Sequence, residues 1–146
     1  MRKIAVIIGP SQPNEIERKR AYEAGKFFVE KGYIIATGGL YGVMEEAMKG
    51  AKEKEGLTLG IIPTDKKQDA NEYCDIVIPT GMGRMRNVLL MLSADIVIAC
   101  GLSEGTFTEI AYAIAFKKKI FTYGFEIDKP YKIPYVKDLK ELESYI

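Results

Sequence analysis

A three-layer α/β domain, with a parallel sheet and helices on both of its faces, is what this sequence predicts. Three features carry that prediction: short unbroken apolar runs, helix-patterned segments between them, and glycine clusters where the runs end. The runs are Lys3–Gly9, Tyr33–Thr37, Leu57–Ile62, Asp75–Pro79, Asp95–Cys100 and Lys119–Gly124. They are rich in Ile, Val, Leu and Ala without polar alternation, the pattern of strands covered on both faces. Between them lie Glu15–Lys31, Val43–Glu55, Arg84–Ser93 and Gly105–Phe116. The second shows helical spacing most clearly, with Val43, Met44, Ala47, Met48 and Ala51 on one stripe. Strand and helix in alternation make βαβ units with right-handed crossovers, hence a Rossmann-like parallel sheet. The tail from Glu126 to Ile146 starts as a loop containing Pro130 and Pro134 and closes on a short helix over Asp138–Ser144. With 146 residues and no repeat, linker or low-complexity segment, residues 1–146 read as one domain.

Composition narrows the function by exclusion. Hydrophobic residues make up 47% and charged residues 28%, ordinary values for a soluble globular chain. The net charge of +1 gives no electrostatic reason to expect a nucleic-acid or membrane partner. The apolar run after Met1-Arg2-Lys3 is too short for a signal peptide, and no stretch is long enough to span a bilayer. Cys74 and Cys100 each lie in or beside an expected strand, where a free thiol acts as a small apolar residue. Two such cysteines suggest a reducing cytoplasm rather than a disulfide framework. There is no histidine, so imidazole chemistry is excluded, and no metal-ligand spacing occurs. Neither a metal nor a resident cofactor is expected.

The glycine clusters point to a ligand. Gly9-Pro10-Ser11 follows the first run and Thr37-Gly38-Gly39-Leu40-Tyr41-Gly42 the second. Thr80-Gly81-Met82-Gly83 follows the fourth, and Gly101-Leu102-Ser103-Glu104-Gly105-Thr106 the fifth. In a parallel sheet all four loops share the carboxyl edge, where ligands bind, and each feeds a helix whose first N–H groups attract anions. A single glycine after a strand is a turn; four such loops on one rim imply a phosphate-bearing ligand. Several sharper motifs fail. Gly101-Leu102-Ser103-Glu104-Gly105 has the spacing of a serine-hydrolase elbow, but that chemistry needs a histidine base. Gly81-Met82-Gly83-Arg84-Met85-Arg86 starts like a dinucleotide fingerprint, with Arg86 in place of the third glycine. No P-loop signature is present.

Two elements in order carry a resemblance. Gly38-Gly39-Leu40-Tyr41-Gly42-Val43-Met44 is followed, past Arg86-Asn87 and Ser93-Ala94-Asp95, by Gly105-Thr106-Phe107-Thr108-Glu109. The set resembles the lonely-guy (LOG) superfamily, once misnamed lysine decarboxylases, over about Ile4 to Phe121. Gly9-Pro10-Ser11, Thr80-Gly81-Met82-Gly83 and the Arg-Asn pair look most like its molybdenum-cofactor carrier branch. The catalytic branch hydrolyses nucleoside 5′-monophosphates to base and ribose 5-phosphate, and the resemblance implies Arg86 and Glu109 as the catalytic pair. A carboxylate suits an oxocarbenium-like transition state, and an arginine fork suits a phosphate or the carboxylate itself. The resemblance implies ligand contacts from Gly9, Ser11, Gly38, Gly39, Gly42, Met44, Thr80, Gly81, Gly83, Asn87, Gly101, Ser103, Gly105 and Thr106. The ligand is then a nucleoside monophosphate or a pterin cofactor. Retention of both Arg86 and Glu109 makes a nucleotide-binding protein with phosphoribohydrolase activity the leading expectation, and a non-catalytic carrier or sensor is the alternative, favoured by two departures: Gly101-Leu102-Ser103 stands where the catalytic branch has Pro-Gly-Gly, and Asn87 where it has lysine. Glu104 adds a negative charge to the same loop. Glu109 also fits a second role, since Thr106-x-x-Glu109 is the spacing of a helix-capping box.

The helical segments carry more apolar surface than one chain hides. Arg84–Ser93 has Met85, Val88, Leu89 and Leu92 on one stripe, with Leu90 and Met91 elsewhere. Gly105–Phe116 has Phe107, Ile110, Ala111 and Ile114 on one face and Tyr112, Ala113 and Phe116 on the other. A helix apolar all round is buried all round, so a homodimer or higher homo-oligomer is expected through these two segments. Lys117-Lys118-Lys119 reads as a basic helix end that complements the dipole.

Overall fold

The computed structural model describes residues 1–146. Seven strands form one all-parallel sheet: β1 (Ile4–Ile8), β2 (Ile34–Thr37), β3 (Thr58–Ile62), β4 (Ile76–Pro79), β5 (Ile96–Ala99), β6 (Lys119–Tyr123) and β7 (Tyr135–Val136). Their order is β4-β3-β2-β1-β5-β6-β7. The four α-helices are α1 (Glu15–Glu30), α2 (Val43–Glu53), α3 (Arg86–Leu92) and α4 (Glu104–Ala115). The chain winds outward from β1 to β4, then returns to the other side of β1 for β5. That reversal between β1 and β5 opens a crevice at their carboxyl ends, the general location of ligand sites in open α/β sheets.

Alternate residues of each central strand feed opposite cores. Ala5 and Ile7 of β1, with Ile96, Ile98 and Cys100 from β5 and its end, pack under α1 and α2 residues Ala21, Ala24, Phe28, Val43, Ala47 and Ala51. Val6, Ile8, Val97 and Ala99 face the other way, against Leu90 and Met91 of α3 and Ile110 and Ala113 of α4. This two-faced burial explains why those runs lack polar alternation. Helices α1 and α2 approach closely through Gly25 and Gly50. A Cβ on Gly25 would run into the Ala47 carbonyl oxygen, and one on Gly50 into that of Tyr22.

Four expectations are corrected. β4 is not covered on both faces: it is an edge strand with Ile76 and Ile78 exposed. β7 is a two-residue strand inside a segment that reads as loop, and its pairing with β6 supplies what its own sequence does not. The Asp138–Ser144 helix is a 3-10 helix over Leu139–Ser144, capped by Asp138. The segment from Arg84 splits into a 3-10 turn, Gly83–Met85, and a seven-residue α3.

The lysine run does not act on its own helix alone. Lys118 Nζ donates to the carbonyls of Leu92 and Ala94, both at 3.0 Å, so it caps the end of α3. Cys100 is buried; Cys74 is half-buried just ahead of β4. No helix is long and apolar enough to cross a membrane.

Candidate functional site

A cleft of about 480 Å³ lies at the reversal point. Ile8, Gly9 and Ser11 from the end of β1 form one wall, and Ser103, Glu104, Gly105 and Thr106 from the start of α4 face them. Met44 of α2, the Arg84–Asn87 segment, and Thr108, Glu109 and Tyr112 of α4 close it. A wider groove of about 850 Å³ continues from it through Ser11, Ser103 and Glu104 to Gln12, Glu17, Leu102 and Phe107.

Two helix amino termini abut this cleft. α2 starts at Gly42, whose φ of 74° and approach to the Pro10 and Ser11 carbonyls leave no room for a side chain. Val43 N–H donates to Pro10 O at 3.1 Å, whereas the N–H groups of Met44 and Glu45 have no protein acceptor. α4 starts at Ser103, whose hydroxyl accepts from Thr106 N at 3.3 Å; the N–H groups of Glu104 and Gly105 remain unpaired. Unpaired N–H groups at the positive ends of two helices favour an anion between them.

Ser103 as the cap settles the second role of Glu109. The helix begins before Thr106, so Glu109 lies in its second turn and is no part of a capping box. It is half-buried and has neither a hydrogen bond nor an ion pair. Burial pushes its carboxyl up to about 7, against an ordinary 4.5, and the charge of Arg86 offsets only part of that rise.

Arg86 is 8% exposed and engaged on several sides. Its Nε donates to Ile61 O at 2.9 Å, one terminal nitrogen to Asn87 Oδ1, and the other to Gly38 O at 3.2 Å. It therefore ties the ends of β2 and β3 to α3. Burial pulls its pKa down, and Glu109 pushes it back up. Asn87 continues the chain, donating to Thr108 Oγ1 at 3.2 Å, and Thr108 donates to Gly105 O at 2.6 Å.

Of the residues expected to contact a ligand, Gly9, Ser11, Met44, Asn87, Ser103, Gly105 and Thr106 line the cleft, together with Arg86 and Glu109. Gly38, Gly39 and Gly42 are outside the lining: Gly38 O accepts from Arg86, Gly39 O from Asn71, and Gly42 caps α2. Thr80, Gly81 and Gly83 bond instead to the end of β3 and the loop after it: Thr80 N to Ile62 O at 3.2 Å, Gly81 N to Thr64 O at 3.0 Å and Gly83 N to Pro63 O at 2.9 Å. Gly101 is buried at the end of β5, outside the cleft lining.

Sequence reasoning missed three residues here. Asn71 is 4% exposed, and its amide donates to Leu40 O at 2.7 Å and Gly39 O at 3.3 Å, bracing the glycine loop. It stands in a segment without periodicity and carried no signal. Thr108 lay inside the Gly105–Glu109 motif, two residues from Thr106 on the same helix start. Arg84 lay inside the failed dinucleotide fingerprint.

A strand-order reversal, a crevice at the carboxyl ends of β1 and β5 and two helix termini beside it define a Rossmann-like small-ligand protein. The chain belongs to the SLOG cluster4 family, whose model matches residues 2–143. It is 42% identical over 114 residues to an uncharacterized protein of Archaeoglobus fulgidus, covering 78% of this chain and 75% of that one. Among solved structures it is similar to the molybdenum cofactor binding protein of the phototrophic bacterium Rippkaea orientalis, at 35% identity and TM-score 0.82, over 99% of this chain and 83% of that one. The molybdenum cofactor carrier protein of Chlamydomonas reinhardtii gives 31% identity and TM-score 0.88, over 99% and 96%.

Proposed function

We propose that this protein carries a small phosphorylated ligand of the molybdenum-cofactor type, binding it and handing it on unchanged. The carrying observation is the state of Arg86. Three of its five N–H donors already serve Ile61 O, Asn87 Oδ1 and Gly38 O, so it is first a structural tie and offers only part of its fork to the cleft. What the cleft offers is binding chemistry: unpaired helix N–H groups for an anion, and Ser11, Ser103, Asn87 and Glu109 for a polar heterocycle. Its volume suits a small ligand, and the adjoining groove gives room for one longer than a mononucleotide. The likeness to the Rippkaea and Chlamydomonas proteins supports the same reading. We place the carrier in the cytoplasm, where two unpaired thiols stay reduced.

The test loads purified protein with molybdenum cofactor released anaerobically from a donor enzyme, desalts it, and measures retained molybdenum and pterin. Retention of both in equal amounts is the expected result. Loss of both in the desalting step would remove the proposal.

One observation favours phosphoribohydrolase activity as a second reading. Glu109 is an unpartnered carboxyl in the same cleft, raised to about 7, which is where a general acid or base works best near neutrality. Release of free base from a nucleoside 5′-monophosphate, abolished in Glu109→Gln, would establish it.

We also propose self-association through α3. Met85, Leu89 and Leu92 are 57%, 37% and 52% exposed, and Ile76 and Ile78 extend that apolar surface onto the same face of β4. A second copy that covers this face accounts for the surface without a further partner.

A further inference from the structure

We propose that Arg84 is the side chain that receives the ligand's anionic group, while Arg86 shapes the floor beneath it. The inference rests on the reading of the cleft as a phosphorylated-ligand site. Arg84 and Arg86 are the only cations that line the cleft, and the adjoining groove contributes none. Arg86 gives three of its five N–H donors to the fold. Arg84 is exposed and has neither a hydrogen bond nor an ion pair of its own.

Its backbone, by contrast, is fixed. Gly81 N and Gly83 N are pinned to the carbonyls of Thr64 and Pro63, and Met85 N closes the turn on Met82 O at 3.2 Å. A long side chain on a pinned turn at the rim needs little backbone rearrangement to close on a ligand. Its planar fork matches two phosphate oxygens, which a lysine ammonium does not.

The charges of the cleft make Arg84 decisive. Glu104 is exposed at the head of α4, and Glu109 lies deeper in the same wall. Without Arg84, the side-chain charge of the cleft is Arg86 against Glu104 and a Glu109 that titrates at about 7, which leaves little net positive charge to draw an anion beyond the helix N–H groups. With it, a second positive charge joins the cleft lining.

Inorganic pyrophosphate is a suitable probe, titrated calorimetrically into wild type, Arg84→Met, Arg84→Lys and Lys140→Met at two salt concentrations. Arg84→Met should weaken binding by about tenfold or more and flatten its salt dependence. Arg84→Lys should fall between the two, and Lys140→Met, an exposed cation outside the cleft, should match wild type. All four proteins should keep one melting temperature, because Arg84 makes no contact that holds the fold. Unchanged affinity in Arg84→Met, or no pyrophosphate binding by wild type at millimolar concentration, would overturn the assignment. Neither result bears on molybdenum retention, so failure here and failure of the carrier reading are separate.

Discussion

On one face of the sheet, α1 and α2 meet through Gly25 and Gly50 and cover a core in which Phe28, Ile7, Ile35 and Ile98 are fully buried. On the other, α3 has only seven residues, and the apolar side chains of Met85, Leu89 and Leu92 stay in solvent beside Ile76 and Ile78 of the edge strand. The first face is closely covered, whereas the second leaves large apolar side chains exposed. The cleft runs along the boundary, taking one wall from the end of β1 and the other from α4. The close α1–α2 packing therefore lies on one side of the cleft and the surface proposed for association on the other, so substitutions should separate the two.

The largest effect should come from the closely covered face. Gly50→Val forces a side chain against the Tyr22 carbonyl and levers α1 from α2, costing about 3 kcal/mol or more, read as the urea midpoint. Glu109→Gln should act in the opposite direction. The native Glu109 carboxyl holds its proton up to about 7, whereas the unfolded one releases it near 4.5. The folded state binds more protons in that interval, so the wild type loses stability as pH rises from about 4.5 to 7 and stays at the lower level above it. Glu109→Gln removes that loss and should gain about 1–3 kcal/mol at pH 8, with little gain at pH 4. A gain that does not depend on pH would place the cause elsewhere than in the buried charge. The smallest effect on stability should follow Leu89→Glu. That exposed position should leave the fold of each chain intact within about 0.5 kcal/mol while light scattering shows the assembly falling to monomers. A Leu89→Glu protein that keeps the wild-type mass would move the contact off α3.

The fold was legible to the extent that burial is two-sided. Six strands read directly from their apolar runs because β1, β2, β3, β5 and β6 lie between other strands, and β4 still carries core-type residues at an edge. β7 was not legible: Tyr135-Val136 is too short to show a period, and its strand character is conferred by β6. The place of the cleft was legible through Gly9 and the Gly105–Glu109 motif, whereas Gly38, Gly39, Gly42, Gly81, Gly83 and Gly101 lie outside its lining, and the roles within it were not legible. Sequence shows which residues face one edge of the sheet, not which donors are already taken. The sequence does not show that Arg86 bonds to Gly38 O and Ile61 O, nor that Ser103 caps α4 and so removes the capping-box alternative for Glu109. Arg84 and Asn71 show the converse. Their importance comes from what lies across space, a bare cleft rim for one and the glycine-loop carbonyls for the other.

Transfer of cargo is the most direct test of the central claim. Protein loaded with molybdenum cofactor and freed of excess would be mixed with a molybdenum-enzyme apoprotein, and the regained activity followed over time. The carrier reading predicts that activity returns in proportion to the molybdenum loaded, with the cofactor chemically intact. No recovery, together with release of free base from nucleoside 5′-monophosphates by the same preparation, would contradict it and make the cleft a hydrolase site.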